Sequence, residues 1–264
     1  MLRVSTGILA IPSMEISERR KARSGLQSKI HPYFMKQKSI VILSSGLDSA
    51  VNLAWSARAF QTLAAVTFDY GQRAAKQENA KAKQLCAHYK IKHLSISLPF
   101  LAGWTETALV KRTKQLPHLS QSALNERKIT QTSAKAVWVP NRNGLFINAA
   151  AALAESAGAK LLVVGFNREE AATFPDNSAS YIKAVNRSLF FSTQSHVKVV
   201  SKTIEMTKRE IVSLGIKLKV PFEWLWSCYE GGKRMCGECE SCLRLKRAIL
   251  LEAPRLFEVI SFAH

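Results

Sequence analysis

Four of the five cysteines, Cys228, Cys236, Cys239 and Cys242, follow the spacing C-x(7)-C-x(2)-C-x(2)-C. A tetrahedral four-thiolate zinc site needs ligands on tight knuckles, and C-x(2)-C supplies the reach and the turn for one. Gly237 relaxes that knuckle. Each metal-bound thiolate must have lost its proton, which a zinc ion favours and bare burial does not. Lys233, Arg234, Arg244, Lys246 and Arg247 stand close in sequence to offset the doubly negative charge of such a centre. The expected role is structural, with no open position for a substrate. An iron–sulfur cluster, a redox pair and unliganded cysteines are the alternatives. Cys86, in the Lys-rich stretch KAKQLCAH, reads as a lone small buried residue. An odd count with four cysteines crowded together, and no convincing signal peptide, argues against a disulfide framework and for a reducing compartment, the cytoplasm.

A second chemical pattern is Leu43-Ser44-Ser45-Gly46-Leu47-Asp48-Ser49, between a strand-like run and a helix-like one. A helix N-terminus offers unpaired N–H groups and a partial positive charge, so anions bind there. Gly46 lets a phosphate approach the backbone, and the serines can donate hydroxyl bonds. The same residues also make a turn followed by a helix cap, with Asp48 or Ser49 as the cap. The Gly-Lys-Ser/Thr ending of a Walker A loop is missing, so a nucleotide held here is held without that lysine.

The elements that must carry these groups alternate. Ser39–Leu43 reads as a buried strand and Ala50–Phe60 as a helix; Leu63–Phe68 is a second strand, 73–89 a polar helix and His93–Leu98 a third strand. Helix 144–156 and strand Leu161–Gly165 continue the rhythm, with further helices at 179–191, 207–216 and 240–251. Such spacing predicts βαβ crossovers: an α/β fold with a doubly wound parallel sheet and helices on both faces. Segment 99–137, with Pro99, Gly103, Pro117 and many Ser, Thr and Gln, breaks the pattern and reads as a lid, an insertion or a mobile loop. Residues 1–37 read as a basic N-terminal extension, seven basic residues against two acidic ones, disordered or lying upstream of a true start at Met35. Residues 38–200 form the nucleotide-binding α/β domain, and 201–264 a small helical region carrying the cysteines.

Composition bounds the rest. The 264 residues are 47% hydrophobic and 22% charged, which excludes wholesale disorder. No run of about 18 apolar residues is free of charge, so a spanning helix is not expected. Lys and Arg exceed Asp and Glu by 38 to 19, a net charge of +19. That favours anionic partners without choosing among nucleotides, nucleic acid and an acidic surface.

Ser44–Ser49 resembles the PP-loop of the ATP pyrophosphatase superfamily, usually Ser-Gly-Gly-x-Asp-Ser, with Ser45 at the first glycine. Around it the chain, from about Lys38 to Ala248, is similar to the 7-cyano-7-deazaguanine synthase family of the queuosine pathway. Phe68-Asp69-Tyr70-Gly71-Gln72-Arg73, Val139-Pro140-Asn141-Arg142-Asn143 and Thr207-Lys208-Arg209-Glu210-Ile211-Val212 carry the likeness. So do Trp226-Ser227-Cys228-Tyr229 and Cys236-Gly237-Glu238-Cys239-Glu240-Ser241-Cys242. One stretch departs: where the family has Asp-Tyr-Ser-Gly-Tyr-Pro-Asp-Cys-Arg, this chain has Glu170-Ala171-Ala172-Thr173-Phe174-Pro175-Asp176-Asn177-Ser178.

The resemblance implies a Rossmann-like PP-loop domain and a ligase that turns 7-carboxy-7-deazaguanine, ammonia and ATP into the nitrile through adenylated acid and amide intermediates. It implies that Leu43, Ser44, Ser45, Gly46, Leu47, Asp48 and Ser49 hold ATP with Mg²⁺. Asp48, Arg142 and Lys208 become the catalytic candidates, Arg142 and Asp176 the substrate-binding ones, and Zn²⁺ on the four cysteines the structural metal. Exposed charge at Arg142 and Lys208, and a turn or cap role for Asp176, are the bland alternatives. Tyr70 reads as packing and Gln72 as solvent-facing; His88, His93, His118 and His196 read as structural. Small-molecule partners suffice, with a homodimer expected and direct nucleic-acid binding permitted by charge but not required. The competing functions are a PP-loop enzyme that transfers a deazaguanine or modifies tRNA, and a non-catalytic zinc-containing nucleic-acid-binding module.

Overall fold

A run of apolar residues bounded by polar turns at each end makes β1, Lys38–Ile42, and its Ser39, Ile40 and Val41 are fully buried. The computed structural model describes residues 36–263, so the reading of 1–37 as an extension lies, but for its last two residues, outside the described part. After β1 come α1 (Leu47–Ala59), β2 (Gln61–Asp69), α2 (Ala75–His88), β3 (Lys92–Ser97), α3 (Phe100–Trp104), α4 (Arg127–Val137) and α5 (Arg142–Ser156). There follow β4 (Leu161–Val163), α6 (Arg168–Ala171), α7 (Ala179–Ser192), β5 (Lys198–Val200), α8 (Lys208–Lys217) and α9 (Glu240–Glu252).

The sheet runs β3-β2-β1-β4-β5 with every neighbouring pair parallel. β1 sits in the middle, pairing Ile42 with Val66 on one side and Val41 with Val163 on the other. The chain winds outward from β1 in one direction and returns to wind in the other, so the order reverses between β1 and β4. In such sheets the crevice beyond the carboxyl ends of the strands at that reversal is where ligands bind. The doubly wound parallel sheet expected from the alternation is the observed one.

Each face of the sheet has its own core. Val41, Ala65 and Val163 face α1, α8 and α9, where Leu47, Val51, Ile211, Leu245 and Ile249 close the layer. Ile40, Val66 and Leu162 face α5 and α7 through Ile147, Ala150, Ala154 and Leu189. α1 is buried nearly all round because the sheet lies on one side and α8 on the other. That is why its polar Asn52, wholly buried, is fully bonded: it donates to the Asp48 carbonyl at 2.8 Å and to Thr203 Oγ1 at 2.7 Å, and accepts from the Lys202 amide. The cysteines and α9 share the core of the first face, so the C-terminal region packs directly on α1, α8 and that face of the sheet.

Segment 99–137, read as a lid, an insertion or a mobile loop, carries α3, a short 3-10 turn and α4, and closes a third core from Tyr70, Leu101, Leu109, Leu116, Val137 and Val139. The Thr and Ser in α4 lie partly on its buried side, with Thr130 and Ser133 facing the core. A fifth strand, β5, also went unforeseen. At three residues it is too short to show a period, and pairing with β4 makes it a strand.

Candidate active site

The loop after β1 turns on one strained residue. Ser45 has φ +59°, a left-handed backbone that glycine takes freely and a serine does not. Its hydroxyl donates to the Ser44 carbonyl at 2.6 Å and the side chain is wholly buried, so it is not among the loop residues that border the cleft. Gly46 takes the N-cap position of α1 with an extended backbone and no side-chain cap, so neither Asp48 nor Ser49 acts as the cap. Instead the Ser49 hydroxyl accepts from the Ser44 amide at 3.2 Å and donates to the Gly46 carbonyl at 3.1 Å, bracing the loop from inside. Leu43 and Leu47 border the same cleft, but their side chains belong to the core, which leaves them only backbone to offer a nucleotide. Across the reversal, Gly165 lets the β4 loop lie against the start of α1: a Cβ there would meet the Ser49 amide nitrogen at 2.6 Å.

Beyond this loop opens a cleft of about 230 Å³, lined by the loop, by Arg142 and Lys208, and by residues from α2, α6 and the cysteine segment. One wall is a chain of charges. Thr207 caps α8 in a reciprocal box with Glu210, which fixes Lys208 at the first helical position. Its ammonium is buried between the Asp48 carboxylate and Glu170 Oε1, the latter at 2.6 Å. Burial opposes the charge of Lys208, but the two carboxylates outweigh it and hold the pKa above its usual value. The carboxylates respond in opposite directions. Burial raises Asp48 to about 6 against the pull of Lys208. Burial also opposes the charge of Glu170, yet Lys208 and Arg244 bring its pKa below the usual value. The difference fits their partners, because Asp48 Oδ1 is buried with no hydrogen bond at all. Arg244 extends the chain, bonding Glu240 Oε1 at 2.7 Å and approaching Glu169 at 3.8 Å.

The opposite wall is aromatic. Arg142 opens α5, following Asn141 with φ +53°, and donates to the Tyr70 hydroxyl at 2.9 Å. Phe146 stacks on Phe68 with ring centroids 4.3 Å apart and leans on Tyr70. Gln72 is 5% exposed rather than solvent-facing: its side chain accepts from the Tyr70 amide and donates to the Phe68 carbonyl and to Glu78 Oε2 at 2.7 Å. Tyr70 is therefore more than packing, since it is the partner of Arg142. Asp176 lies in a short 3-10 turn, half-buried, with burial raising its pKa and Arg142 drawing it back. Of that turn Asn177 borders the cleft, as does Phe174 just before it, and Asp176 does not. Ser178, at the arginine position of the family pattern, caps α7 by accepting from the Tyr181 amide.

The four cysteine sulfurs lie within 4.8 Å of one another. A tetrahedron with metal–sulfur bonds of about 2.3 Å has edges of about 3.8 Å, and Cys236 and Cys242 stand 3.9 Å apart. Gly237 takes φ +83°, the left-handed turn the knuckle needs. The donor set and its spacing fit a metal ion. The charges expected to offset it are partly engaged elsewhere: Arg244 and Arg247 serve Glu240 and Glu169. Backbone amides stand in, with the Glu230 and Cys236 N–H groups donating to Cys228 Sγ and the Cys239 N–H to Cys236 Sγ, each at 3.3 Å. Cys86 is 1% exposed, and burial pushes its thiol up to about 12, so it is inert.

Sequence reasoning thus named Asp48, Arg142 and Lys208, and the cleft brings all three together. It missed Glu78, Glu170 and Glu240. Glu170 and Glu240 sat inside quoted motifs, but nothing local marks an acidic residue as bordering a cleft.

Residues 38–252 match the model of the family described as queuosine biosynthesis protein QueC. The 7-cyano-7-deazaguanine synthase of Pelotomaculum thermopropionicum is 53% identical over 211 residues, covering 80% of this chain and 96% of that protein. Those of Carboxydothermus hydrogenoformans and Methanosarcina barkeri are 51% and 50% identical, each over 80% of this chain and over 98% and 93% of their own lengths. With the fold, the cleft and the cysteine knuckle in agreement, the chain belongs to the QueC family, the enzymes named 7-cyano-7-deazaguanine synthase.

Proposed function

We propose that the cleft converts 7-carboxy-7-deazaguanine, ammonia and ATP to 7-cyano-7-deazaguanine through an adenylated acid and then an adenylated amide. A carboxylate cannot exchange oxygen for nitrogen unaided, because oxide does not leave. Adenylation makes each oxygen depart with AMP. Both activations concentrate negative charge on phosphate, so positioning and electrostatic stabilisation by fixed donors supply most of the acceleration.

The observation carrying this reading is that one cleft at the sheet's reversal is bordered by the Ser44–Ser49 loop, by Lys208 and by Arg142. Gly46, Ser44 and the start of α1 receive the pyrophosphate end of ATP. Lys208, held by Asp48 and Glu170, balances the phosphates. Arg142, steadied by Tyr70, takes the substrate carboxylate, and Phe146 offers an apolar face to a planar base. Asp176 is the candidate for the guanine-like edge; its neighbours Phe174 and Asn177 border the cleft and it does not. Mg²⁺ arriving with ATP would find an unpaired protein oxygen at Asp48 Oδ1, and would supply charge neutralisation at the phosphates. Zn²⁺ on Cys228, Cys236, Cys239 and Cys242 has a structural role: Trp226–Tyr229 both borders the cleft and carries the first ligand. No helix among the described residues is long and apolar enough to cross a membrane.

The test is mass analysis after incubating the protein with the free acid, ammonium and ATP. The nitrile mass with AMP as co-product is expected, and a full reaction mixture that yields no nitrile refutes the reading.

A further inference from the structure

The proposed reaction needs something the Asp48–Lys208–Glu170 chain does not provide. At neutral pH the nitrogen donor is ammonium, which has no lone pair until a proton is removed. Glu78, on the first turn of α2, borders the cleft. No ion pair among the described residues includes it, whereas Glu170 and Asp48 are committed to Lys208 and Glu240 to Arg244. The hydrogen bond to its side chain among the described residues, from Gln72 Nε2 at 2.7 Å, orients the carboxyl without neutralising it. Gln72 is itself locked to the Tyr70 amide and the Phe68 carbonyl, so Glu78 stands on the wall that carries Arg142.

Building on the reaction proposed above, we infer that the Glu78 carboxylate binds ammonium and removes its proton, releasing ammonia beside the carbon that Arg142 holds. Glu78 takes one proton from NH₄⁺. The freed lone pair forms the C–N bond to the adenylated carbonyl, and the C–O bond to AMP breaks with its electron pair on the phosphate oxygen. A second proton then leaves the nitrogen for Glu78, which has passed the first to water, and the neutral amide remains.

The surroundings suit this role. Burial raises Glu78 to about 7, against the Gln72 hydrogen bond and the Arg142 charge, which lower it, while Asp69 at the end of β2 adds to the rise. A base is most effective with its pKa near the working pH. Arg142 and the Tyr70 hydroxyl are the other titratable or charged groups facing it. The nearby Arg142 cation also disfavours ammonium relative to ammonia, which promotes proton release.

The experiment is Glu78→Gln, whose amide oxygen still accepts from Gln72. Acid-dependent ATP–pyrophosphate exchange should persist, while amide and nitrile formation from ammonium falls by about 10²-fold or more, the usual span of a lost general base. In the unaltered protein, the rate at limiting ammonium should rise with pH through an inflection near that of Glu78, and the variant should lack it. Hydroxylamine, a nucleophile unprotonated at neutral pH, should restore acyl transfer to the variant. A variant that keeps its rate with ammonium, fails equally with hydroxylamine, or loses the exchange reaction overturns the inference. Absence of exchange in the unaltered protein would instead overturn the proposed reaction, so the two failures are separable.

Discussion

The ammonium of Lys208 is ion-paired with the carboxylate of Asp48, 160 residues away in the chain, and both side chains are about nine-tenths buried. The pair ties the start of α8 to the start of α1. Glu170 shares the same ammonium, so the two carboxylates do not depend on it equally.

Replacing Lys208 with Ala strands Asp48 without a counter-charge and leaves Glu170 only the more distant Arg244. Removing one member of a buried pair typically costs about 3–5 kcal/mol, and denaturant unfolding should show a loss of that order. Asp48→Ala leaves Lys208 its Glu170 partner, so the protein should stay folded while ATP–pyrophosphate exchange disappears. Retained exchange would mean the loop is not where ATP is activated.

Arg142→Lys keeps the charge but loses the planar fork and its fixed bond to Tyr70. If Arg142 holds the substrate carboxylate, KM for the acid should rise by about 10-fold or more, as expected for losing a charge-assisted bond worth about 1.5–3 kcal/mol. KM for ATP should barely move. An equal rise in both would place Arg142 on the nucleotide.

Gly165→Ala puts a Cβ 2.6 Å from the Ser49 amide nitrogen and 2.7 Å from its Cα, atoms of a helix backbone that cannot swing aside. Overpacking of this kind costs about 1–3 kcal/mol. The displaced loop should also bind ATP more weakly, measured by calorimetric titration. Unchanged affinity would show that the close approach is unimportant to the nucleotide.

Cys239→Ser should release the metal and lower the melting temperature, because part of the metal's binding energy is folding energy. Elemental analysis of the unaltered protein is expected to give one zinc per chain. A metal-free protein of unchanged stability would refute the structural role.

The loop and the knuckle were legible because their chemistry is local: the residues that define each lie within a few positions along the chain. The central strands were legible because β1 and β2 are buried on both faces and read as apolar runs. Gln72 was misread because a glutamine among polar neighbours gives no sign that three hydrogen bonds await it indoors. Glu78 and Glu240 stayed hidden for the same reason, since which charged residues border a cleft is set by elements arriving from elsewhere. The 99–137 segment looked loose because its apolar residues are sparse, and its core closes only with help from Tyr70 and Val139 outside it.

One short contact joins the two halves of the site. The Trp226 amide donates to the Ser45 carbonyl at 2.9 Å, and Cys228 lies two residues further on. The Ser44–Ser49 turn and the cysteine knuckle are therefore directly tied. By reciprocity of linked equilibria, any free energy with which a seated nucleotide tightens the knuckle returns as tighter nucleotide binding when the metal is in place. Starvation for the ion would then surface as a fading grip on ATP well before the chain came apart.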